Sequence, residues 1–374
     1  MKEGWEYKKL GEVCNIDFGT RVVRGRDAGS IYPVYGGGGA TFKMDMYNRE
    51  DCMVISRFGM SEQCTRFVKG KFFLNDSGLT LSLKENCMIQ EFMDWQILYL
   101  NNTIYSLGRG AAQKNLDTKA LAEVRITYPN NLSEQQSIVD YLDSAFAKID
   151  AMKANAEKAL NEAKALFQAS LKEMLEPKEG WEEKALGDIC SDIRYGTSTP
   201  SHENGEYKYL RMNNITNDGF LDVSHYKTIS LPSKELEKCL VKKGDIIFNR
   251  TNSRELVGKS CVFTEDENMV IAGYLIRIRL KEGFEPQFIT YGMNFQRSLG
   301  LFLHLIVGAV HQANISANNI QKVIIKYPPL SEQQSIVETL DSLKSKVDRL
   351  QANYDKISQE CDALKQAILR QVFE

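Results

Sequence analysis

The side chains with the clearest chemistry follow a predicted buried strand in the second half of the chain. Asp245 through Asn249 has the apolar pattern of such a strand, and it leads directly into Arg-Thr-Asn-Ser-Arg. Arginine can donate two hydrogen bonds to guanine, and asparagine can pair in the same way with adenine. A polar loop fixed by a rigid strand therefore predicts base recognition, and a solvated turn is the alternative. The predicted contacts are Arg250, Asn252, Ser253, Arg254, Arg211, Asn213, Asn214 and Lys259.

Other loops offer donors of the same kind. Backbone amides and hydroxyls near Tyr195 could bind phosphates, and polar loops precede the last strand of each half. A run of four glycines at 36–39 would let the backbone approach a groove closely, or would simply turn the chain. These loops add Thr197, Ser198, Gln312, Arg57, Gly37, Gly38, Arg109, Gln113 and Lys114 to the candidates. Arg277 and Arg279 are expected on the solvent face of a strand.

The sequence patterns argue against catalysis. Gly258-Lys259-Ser260 resembles the end of a phosphate-binding loop, but Ser253 stands where that loop requires its first glycine. No Gly-x-Gly-x-x-Gly motif opens a helix, no base-methyltransferase motif appears, and four histidines provide no metal-binding spacing. We therefore expect a non-catalytic protein that has no cofactor or metal of its own.

An internal duplication organises the chain. Gly4 through Cys14 returns in related form as Gly180 through Cys190, and the octet Leu-Ser-Glu-Gln-Gln-Ser-Ile-Val occurs at both 132–139 and 330–337. Repeats in the same order predict a domain, a helix, a second domain and a second helix. The predicted boundaries are 1–131, 132–177, 178–329 and 330–374.

Each octet has the features of a helix start. Ser133 and Ser331 are candidate N-caps, with Gln136 and Gln334 three residues later as in a capping box. An apolar period of three and four residues follows, which is typical of a coiled coil. The expected seam of the first helix passes through Ile138, Leu142, Ala145, Ile149, Met152, Ala156, Ala159, Ala163 and Leu166, and its apolar stripe widens to Leu160, Phe167, Leu171 and Met174. The expected seam of the second helix runs from Ile336 and Leu340 to Leu364 and Ile368.

Connectivity predicts how the two helices run. The first helix ends where the second domain begins, and the second helix starts where that domain ends, so the pair should be antiparallel. We therefore predict an α+β chain with two pseudo-symmetric globular domains, separated by two long antiparallel coiled-coil helices. Two independent helices, each folded onto its own domain, are the alternative.

Charge and cysteine content limit the function classes. The net charge is -2, and the globular regions have 17 basic against 15 acidic and 19 basic against 18 acidic residues. This excess is too small for tight DNA binding by phosphate neutralisation alone, so partners are expected. The eight cysteines are scattered, and no stretch has the length and apolarity of a membrane span. A cytoplasmic location is the expectation.

The duplicated motifs point to a family. The G-W-x-x-x-x-L-G-[ED]-[VI]-C openings, the Y-P…L-S-E-Q-Q-S-I-V helix starts and the Gly244–Ser253 segment resemble the specificity subunit of type I restriction-modification enzymes. The resemblance covers the whole chain. It implies that each globular region is a target recognition domain that reads one half of a bipartite site in double-stranded DNA.

The same resemblance implies partners. The helices would set the spacer and dock two methyltransferase (M) subunits, and restriction/translocase (R) subunits would join the assembly. S-adenosylmethionine, ATP and magnesium would belong to those partners. Two alternatives remain at this point: a coiled-coil adaptor with two protein- or ligand-binding domains, and a specificity subunit of a methylation-only system.

Overall fold

The computed structural model describes residues 4–84, 86–111, 113–309 and 312–374, with the backbone alone at Ala309 and Gln312. Its contacts divide the chain into two compact units. Unit 1 comprises residues 1–157 and 353–374, and unit 2 comprises residues 158–352. Each long helix therefore contributes one part to each unit.

The first half of the chain alternates short strands and helices before one long helix. Its strands are β1 (Trp5–Lys9), β2 (Cys14–Phe18), β3 (Tyr32–Tyr35), β4 (Ala40–Met44), β5 (Arg49–Ser56), β6 (Thr65–Leu74), β7 (Gly78–Leu83), β8 (Gly108–Arg109), β9 (Asn115–Leu116) and β10 (Arg125–Pro129). Its helices are α1 (Leu10–Val13), α2 (Arg24–Asp27), α3 (Gln90–Tyr99), α4 (Asn101–Ser106), α5 (Thr118–Ala122) and α6 (Leu132–Leu175).

The second half repeats this plan. Its strands are β11 (Glu182–Ala185), β12 (Cys190–Tyr195), β13 (Tyr207–Leu210), β14 (Lys227–Ile229), β15 (Leu240–Val241), β16 (Ile246–Asn249), β17 (Thr251–Asn252), β18 (Ser260–Val262), β19 (Met269–Ile271), β20 (Leu275–Leu280), β21 (Val307–Ala309), β22 (Gln312–Asn314) and β23 (Ile324–Tyr327). Its helices are α7 (Leu186–Ile189), α8 (Ser233–Cys239), α9 (Pro286–Ser298), α10 (Ala317–Ile320) and α11 (Leu330–Phe373), with 3-10 turns at Met212–Asn214 and Leu303–Leu305.

The sheets show the duplication more clearly than the sequence does. In unit 1 the strand order is β2-β7-β5-β6-β3-β4, and in unit 2 the order β12-β20-β16-β18 matches its first four strands. The first and last strands of each half form a separate antiparallel ribbon, β1 with β10 and β11 with β23. Among the described residues, the named strands pair antiparallel except β3 with β6 and β13 with β19, and an isolated bridge between Thr197 and Ala272 is also parallel. The predicted α+β class is confirmed.

The core of unit 1 joins its sheet to both long helices. Apolar side chains of the sheet and of α3 pack with the start of α6 and the end of α11, with fully buried members at Leu79, Phe92, Leu142 and Leu369. Burying a large apolar side chain contributes about 1.5–3 kcal/mol, so this cluster fixes the helices firmly on the domain. In unit 2, β16, β19 and β20 supply a comparable interior that includes Ile247 and Leu275.

The two long helices run antiparallel in unit 1. Asp150 accepts a hydrogen bond from Lys365 at 2.5 Å, and Lys153 lies 3.6 Å from Asp362, so rising numbers in α6 match falling numbers in α11. In unit 2, Lys164 donates to Gln351 at 2.8 Å. The predicted antiparallel pairing is confirmed.

The seam differs from the predicted heptads. In α6, Met152 and Leu166 are 58% and 57% exposed, whereas Leu160 and Phe167 are buried. In α11, Leu364 is 48% exposed and Lys365 lies at the seam instead. The alanine-rich stretch of α6 gives two nearly equal stripes, and the stripe with the larger buried side chains is the one that packs.

The predicted helix caps were also wrong. Helix α6 begins at Leu132, and the Asn131 side chain accepts the amide hydrogen of Ser133 at 2.8 Å. In α11 the carbonyl of Pro329 accepts the first helical amide hydrogens. Gln136 donates to Asp140 rather than reaching back to a cap.

Among the described residues, no helix is long and apolar enough to cross a membrane.

Candidate nucleic-acid interface

Arg57 occupies the first position after strand β5. Its amide donates to the carbonyl of Ser77, and its carbonyl accepts from Leu116, so the backbone is fixed on both sides. Its guanidinium lies between two exposed aromatic rings, 4.6 Å from the centre of Phe18 and 4.5 Å from that of Phe58. Within the described part of the chain these rings are its partners, so its hydrogen-bond donors stay available.

The predicted glycine loop packs against the residues on either side of Arg57. The carbonyl of Gly37 accepts hydrogen bonds from the Ser56 hydroxyl at 2.5 Å and from Arg66 at 2.8 Å. A Cβ on Gly37 would lie 2.6 Å from the Phe58 carbonyl, so this glycine is needed for a close approach within the protein. Gly38 is exposed, and nothing lies within 4 Å of the position that a Cβ would take.

The loop between β8 and β9 lies beside Arg57. Gly59, at φ +61°, has its open side against the Gln113 amide. The Lys114 ammonium lies 3.9 Å from the centre of the Tyr105 ring, while Arg109 pairs with Asp117 at 2.5 Å and keeps 80% of its side chain exposed. The structure therefore brings the Gln113 amide to Gly59, two residues after Arg57, and places Arg109 and Lys114 on the chain segment around it.

Arg250 takes the equivalent position in unit 2. It follows β16, donates its amide to the carbonyl of Tyr274, and accepts from Ile315. Its guanidinium lies 4.7 Å from the centre of the Tyr195 ring and donates to Asn314 at 2.8 Å. The Nε atom has no protein acceptor among the described residues. The two units thus place an arginine on an aromatic ring at the same point of the sheet.

Thr197 and Arg211 lie close to Ala272, at the end of strand β19. Thr197 bridges to Ala272, and Arg211 follows Leu210, whose carbonyl accepts from Ala272. The Thr197 hydroxyl is buried and donates to Glu235 at 2.5 Å, so it holds helix α8 to the sheet. Ser198, the next residue, is exposed. Arg211 lies close enough to Tyr274 that its charge opposes the effect of burial, which raises the pKa of that phenol.

Two residues that were predicted to contact DNA bases instead donate hydrogen bonds to backbone carbonyls of the protein. Asn214 is buried, with its amide donating to the carbonyls of Asp222 and His225 and its oxygen accepting the Arg211 amide hydrogen. Lys259 is 5% exposed and donates to the Ile215 carbonyl at 2.8 Å. Burial, with a smaller contribution from Arg297, lowers the pKa of Lys259. Both side chains hold loops in place.

The remaining candidates lie on strand β17 and the turn that follows it, on strand β22 and on a 3-10 turn. Strand β17 pairs with β22 through Asn252 and Ala313. The oxygen of Asn252 accepts from the Ser253 amide at 2.8 Å, and Arg254 is exposed in the turn that follows. Asn213 is exposed on a 3-10 turn. The backbone of Gln312 belongs to β22, and its side chain lies outside the described part of the structure.

The prediction that Arg277 faces solvent was wrong, whereas Arg279 is partly exposed. Arg277 is 4% exposed, forms an ion pair with Asp192 and donates to the Leu240 carbonyl. Arg279 makes two parallel hydrogen bonds of 2.7 Å to the buried Asp245. Helix α8 lies against Arg277, whose guanidinium donates to the Glu237 carbonyl, so this arginine is an internal ion-pair partner, whereas the Arg279 side chain stays 34% exposed.

Four contributors were not among the candidate residues: Phe18, Phe58, Tyr195 and Asn314. Phe18 and Tyr195 end the first sheet strand of each unit, at similar distances after the duplicated cysteines Cys14 and Cys190. Asn314 is the acceptor for Arg250. Aligning the two halves through the aromatic pair would have identified the rings, whereas Asn314 depends on the pairing of β22 with β17.

The two halves of the chain match a single family model separately. The model described as "Type I restriction modification DNA specificity domain" matches residues 2–162 and again residues 178–359. The chain belongs to this family. Each match covers one globular region together with most or part of the long helix that follows it, as the internal duplication requires.

Curated relatives of this specificity-domain family are similar over most of the chain. The EcoKI specificity subunit of Escherichia coli K12 is 26% identical over 288 residues, which cover 73% of this chain and 62% of that subunit. The StySPI specificity subunit of Salmonella potsdam is also 26% identical, over 290 residues that cover 74% and 62%. The matched region thus spans less than two thirds of these relatives.

Solved structures share the fold. A chain from a structure of a type I restriction-modification system aligns with a TM-score of 0.73 at 18% identity, covering 100% of this chain and 98% of that one. The HsdS subunit of Thermoanaerobacter tengcongensis aligns with a TM-score of 0.54 at 19% identity, covering 100% and 97%. The specificity-domain fold therefore extends over both halves.

Proposed function

We propose that this chain is the DNA-specificity subunit of a type I restriction-modification complex. One observation carries the proposal: both units present an arginine, Arg57 or Arg250, held on an aromatic ring directly after the equivalent strand. A guanidinium held in this way loses little freedom on binding and can donate two parallel hydrogen bonds to guanine. A duplicated donor site suits a protein that reads two separate half-sites.

The two sites differ in a manner that suits different targets. The Arg57 guanidinium contacts two rings, and the Gln113 amide lies against Gly59 two residues further on, whereas Arg250 has one ring and donates to Asn314. The polar groups around them also differ, with the exposed Arg109 and the partly exposed Lys114 in unit 1, and the exposed Ser198, Asn213 and Arg254 in unit 2. We infer that each domain lays these loops in a major groove and reads its own sequence.

The chain performs no chemistry in this proposal. Methylation and cleavage belong to two methyltransferase subunits and to restriction/translocase subunits, which bring S-adenosylmethionine, ATP and magnesium. The described residues include no group of three side chains placed to hold a metal ion. The small positive excess of each globular region supports the need for partners, since phosphate contacts by this chain alone would be few. The paired helices are the surface on which we place the methyltransferase subunits.

Selection from a random duplex library tests the proposal. The full chain is incubated with the library alone and with its cognate methyltransferase subunit, at low and at physiological salt. We expect a bipartite sequence to be enriched in the presence of the partner. Exchanging residues 178–329 for those of another family member should change one half-site and leave the other intact. If no sequence is enriched in any setting, the chain is an adaptor and the proposal is wrong.

A further inference from the structure

The duplicated octet contains a buried glutamine that helix capping does not explain. Gln135 and Gln333 are 0% and 1% exposed, whereas the adjacent glutamines, Gln136 and Gln334, are exposed. A buried amide is costly unless its polar atoms have partners. Each copy of the octet therefore has one glutamine that is exposed to solvent and one that is buried inside its domain.

The buried glutamine connects three parts of its unit. In unit 1 the Gln135 amide donates to the carbonyls of Pro129 at 2.8 Å and Cys87 at 3.1 Å, and its oxygen accepts from the amide of Ile89 at 2.9 Å. Pro129 ends strand β10, and Ile89 is the residue that precedes helix α3. One side chain on the long helix thus holds both the last strand and the start of the domain helix.

Unit 2 repeats this arrangement. The Gln333 amide donates to the carbonyl of Pro328 at 2.8 Å, and its oxygen accepts from the amide of Glu285 at 3.0 Å. Glu285 is the residue that precedes helix α9, the counterpart of α3. The same contacts in two diverged domains indicate a shared role for the glutamine.

A second contact lies eight residues further along each helix. Asp143 accepts from the indole nitrogen of Trp95 at 3.0 Å, and Asp341 accepts from the hydroxyl of Tyr291 at 2.6 Å. Each aromatic residue stands six positions after the residue that contacts the glutamine. Two directional contacts, about 12 Å apart along a helix, fix its direction more closely than apolar packing does, because hydrogen bonds weaken steeply with angle.

We propose that Gln135 with Asp143, and Gln333 with Asp341, are positioning residues that set the angle between each recognition domain and its long helix. Through that angle they determine which separations between the two half-sites the protein accepts. This inference rests on the proposed function and extends it, because it assigns spacing selectivity to the junction of helix and domain as well as to helix length. The four residues contact the protein alone and do not themselves read DNA.

The test measures spacing selectivity separately from sequence recognition. Wild-type chain and variants, each in complex with the methyltransferase subunit, are bound to duplexes whose two half-sites are separated by the preferred gap or by one or two base pairs more or fewer. The variants are Gln333→Ala and Tyr291→Phe, the second of which removes a single hydroxyl. Gln334→Ala is the matched control, because it changes the exposed neighbour of the same residue type.

We expect the preference for the best gap over its neighbours to fall about tenfold in Gln333→Ala and Tyr291→Phe, which corresponds to about 1.4 kcal/mol. The bases preferred within each half-site and the profile of Gln334→Ala should match wild type. If both variants keep the wild-type gap profile, the positioning role is overturned. If Gln333→Ala fails to fold, Tyr291→Phe decides by the same comparison. A wild-type complex that enriches no sequence instead rejects the proposed function, so the two failures are distinguishable.

Discussion

The guanidinium carbon of Arg250 lies 4.7 Å from the centre of the Tyr195 ring, and Arg57 lies 4.6 Å from Phe18 in the matching place. Cation–π contacts of this kind contribute about 0.5–1 kcal/mol where they are exposed. Their larger effect here is to hold a long side chain in one orientation. An arginine whose side chain is held in one orientation is better suited to recognise the edge of a particular base than to bind a phosphate, which a flexible side chain can also do.

Arg250→Lys separates these two roles. Lysine keeps the charge that a phosphate contact needs but loses the planar fork of donors. We expect the affinity for the cognate half-site read by unit 2 to fall by about 1–3 kcal/mol, as for the loss of a bidentate base contact, while binding to random duplex stays the same. Fluorescence anisotropy with the methyltransferase-bound chain, on cognate and half-site-scrambled duplexes, measures both affinities.

Arg250→Ala completes the comparison. If Arg250 binds a phosphate, this variant weakens binding to every duplex equally and lowers the salt dependence by about one counterion, whereas Arg250→Lys stays close to wild type. That pattern would contradict the base-reading role. Lys243→Ala is the control, because Lys243 is exposed and paired with Asp266.

The octet Leu-Ser-Glu-Gln-Gln-Ser-Ile-Val shows what sequence alone can predict. Two copies at the ends of two globular regions predicted both helices and their antiparallel course. The pattern could not tell which glutamine is buried, because that depends on where the Pro129 carbonyl and the Ile89 amide lie in three dimensions. Local patterns predict elements, whereas partners distant in sequence decide the role of each polar side chain.

The candidate site divides in the same way. Arg57 and Arg250 were predicted because they follow strands, and their positions depend on local order. Asn214 and Lys259 are equally polar in sequence, yet each is buried against backbone carbonyls. Arg277 alternates as a surface residue would, but helix α8 lies over it. Residue type and spacing do not reveal which face a distant helix covers.

The seam of α11 allows a matched pair of substitutions. Leu369 is fully buried in the core of unit 1, and Leu364, five residues earlier, is 48% exposed. We expect Leu369→Ala to lower the free energy of unfolding of unit 1 by about 2–5 kcal/mol because it leaves a cavity. Leu364→Ala should cost about 0.5 kcal/mol or less. Hydrogen exchange of the α3 amides in the full chain measures the difference, and equal losses would contradict the observed seam.

The free energy of unfolding of unit 1 should depend on pH through the protonation of Asp94. This carboxyl group is 6% exposed, and burial raises its pKa to about 7. A raised carboxyl pKa favours the protonated form in the folded state. Its stabilising contribution is therefore complete below about pH 4 and is lost as the pH rises toward 7.

Asp94→Asn removes this titration and keeps an oxygen that can accept from Gln90. We expect the variant to gain on the order of 4 kcal/mol over wild type above pH 7, and little below pH 4, in denaturant titrations. Asp27→Asn should act in the opposite direction, since the hydrogen bond from Arg26 lowers the pKa of that partly exposed carboxyl. A gain for Asp94→Asn that is the same at all pH values would contradict the assignment.

Lengthening both helices together tests their role in setting the spacer. Seven residues are added to α6 between Lys153 and Ala154 and seven to α11 between Cys361 and Asp362, positions that face each other in unit 1 because Lys153 lies 3.6 Å from Asp362. A heptad keeps the seam in phase to within about 20° and adds about 10 Å. We therefore expect the preferred gap to grow by about three base pairs, at 3.4 Å each, with unchanged half-sites in methylome sequencing. The same heptad added to α6 alone should break the pairing beyond it and abolish selection. An unchanged gap after the double insertion would show that the helix pair does not set the spacer.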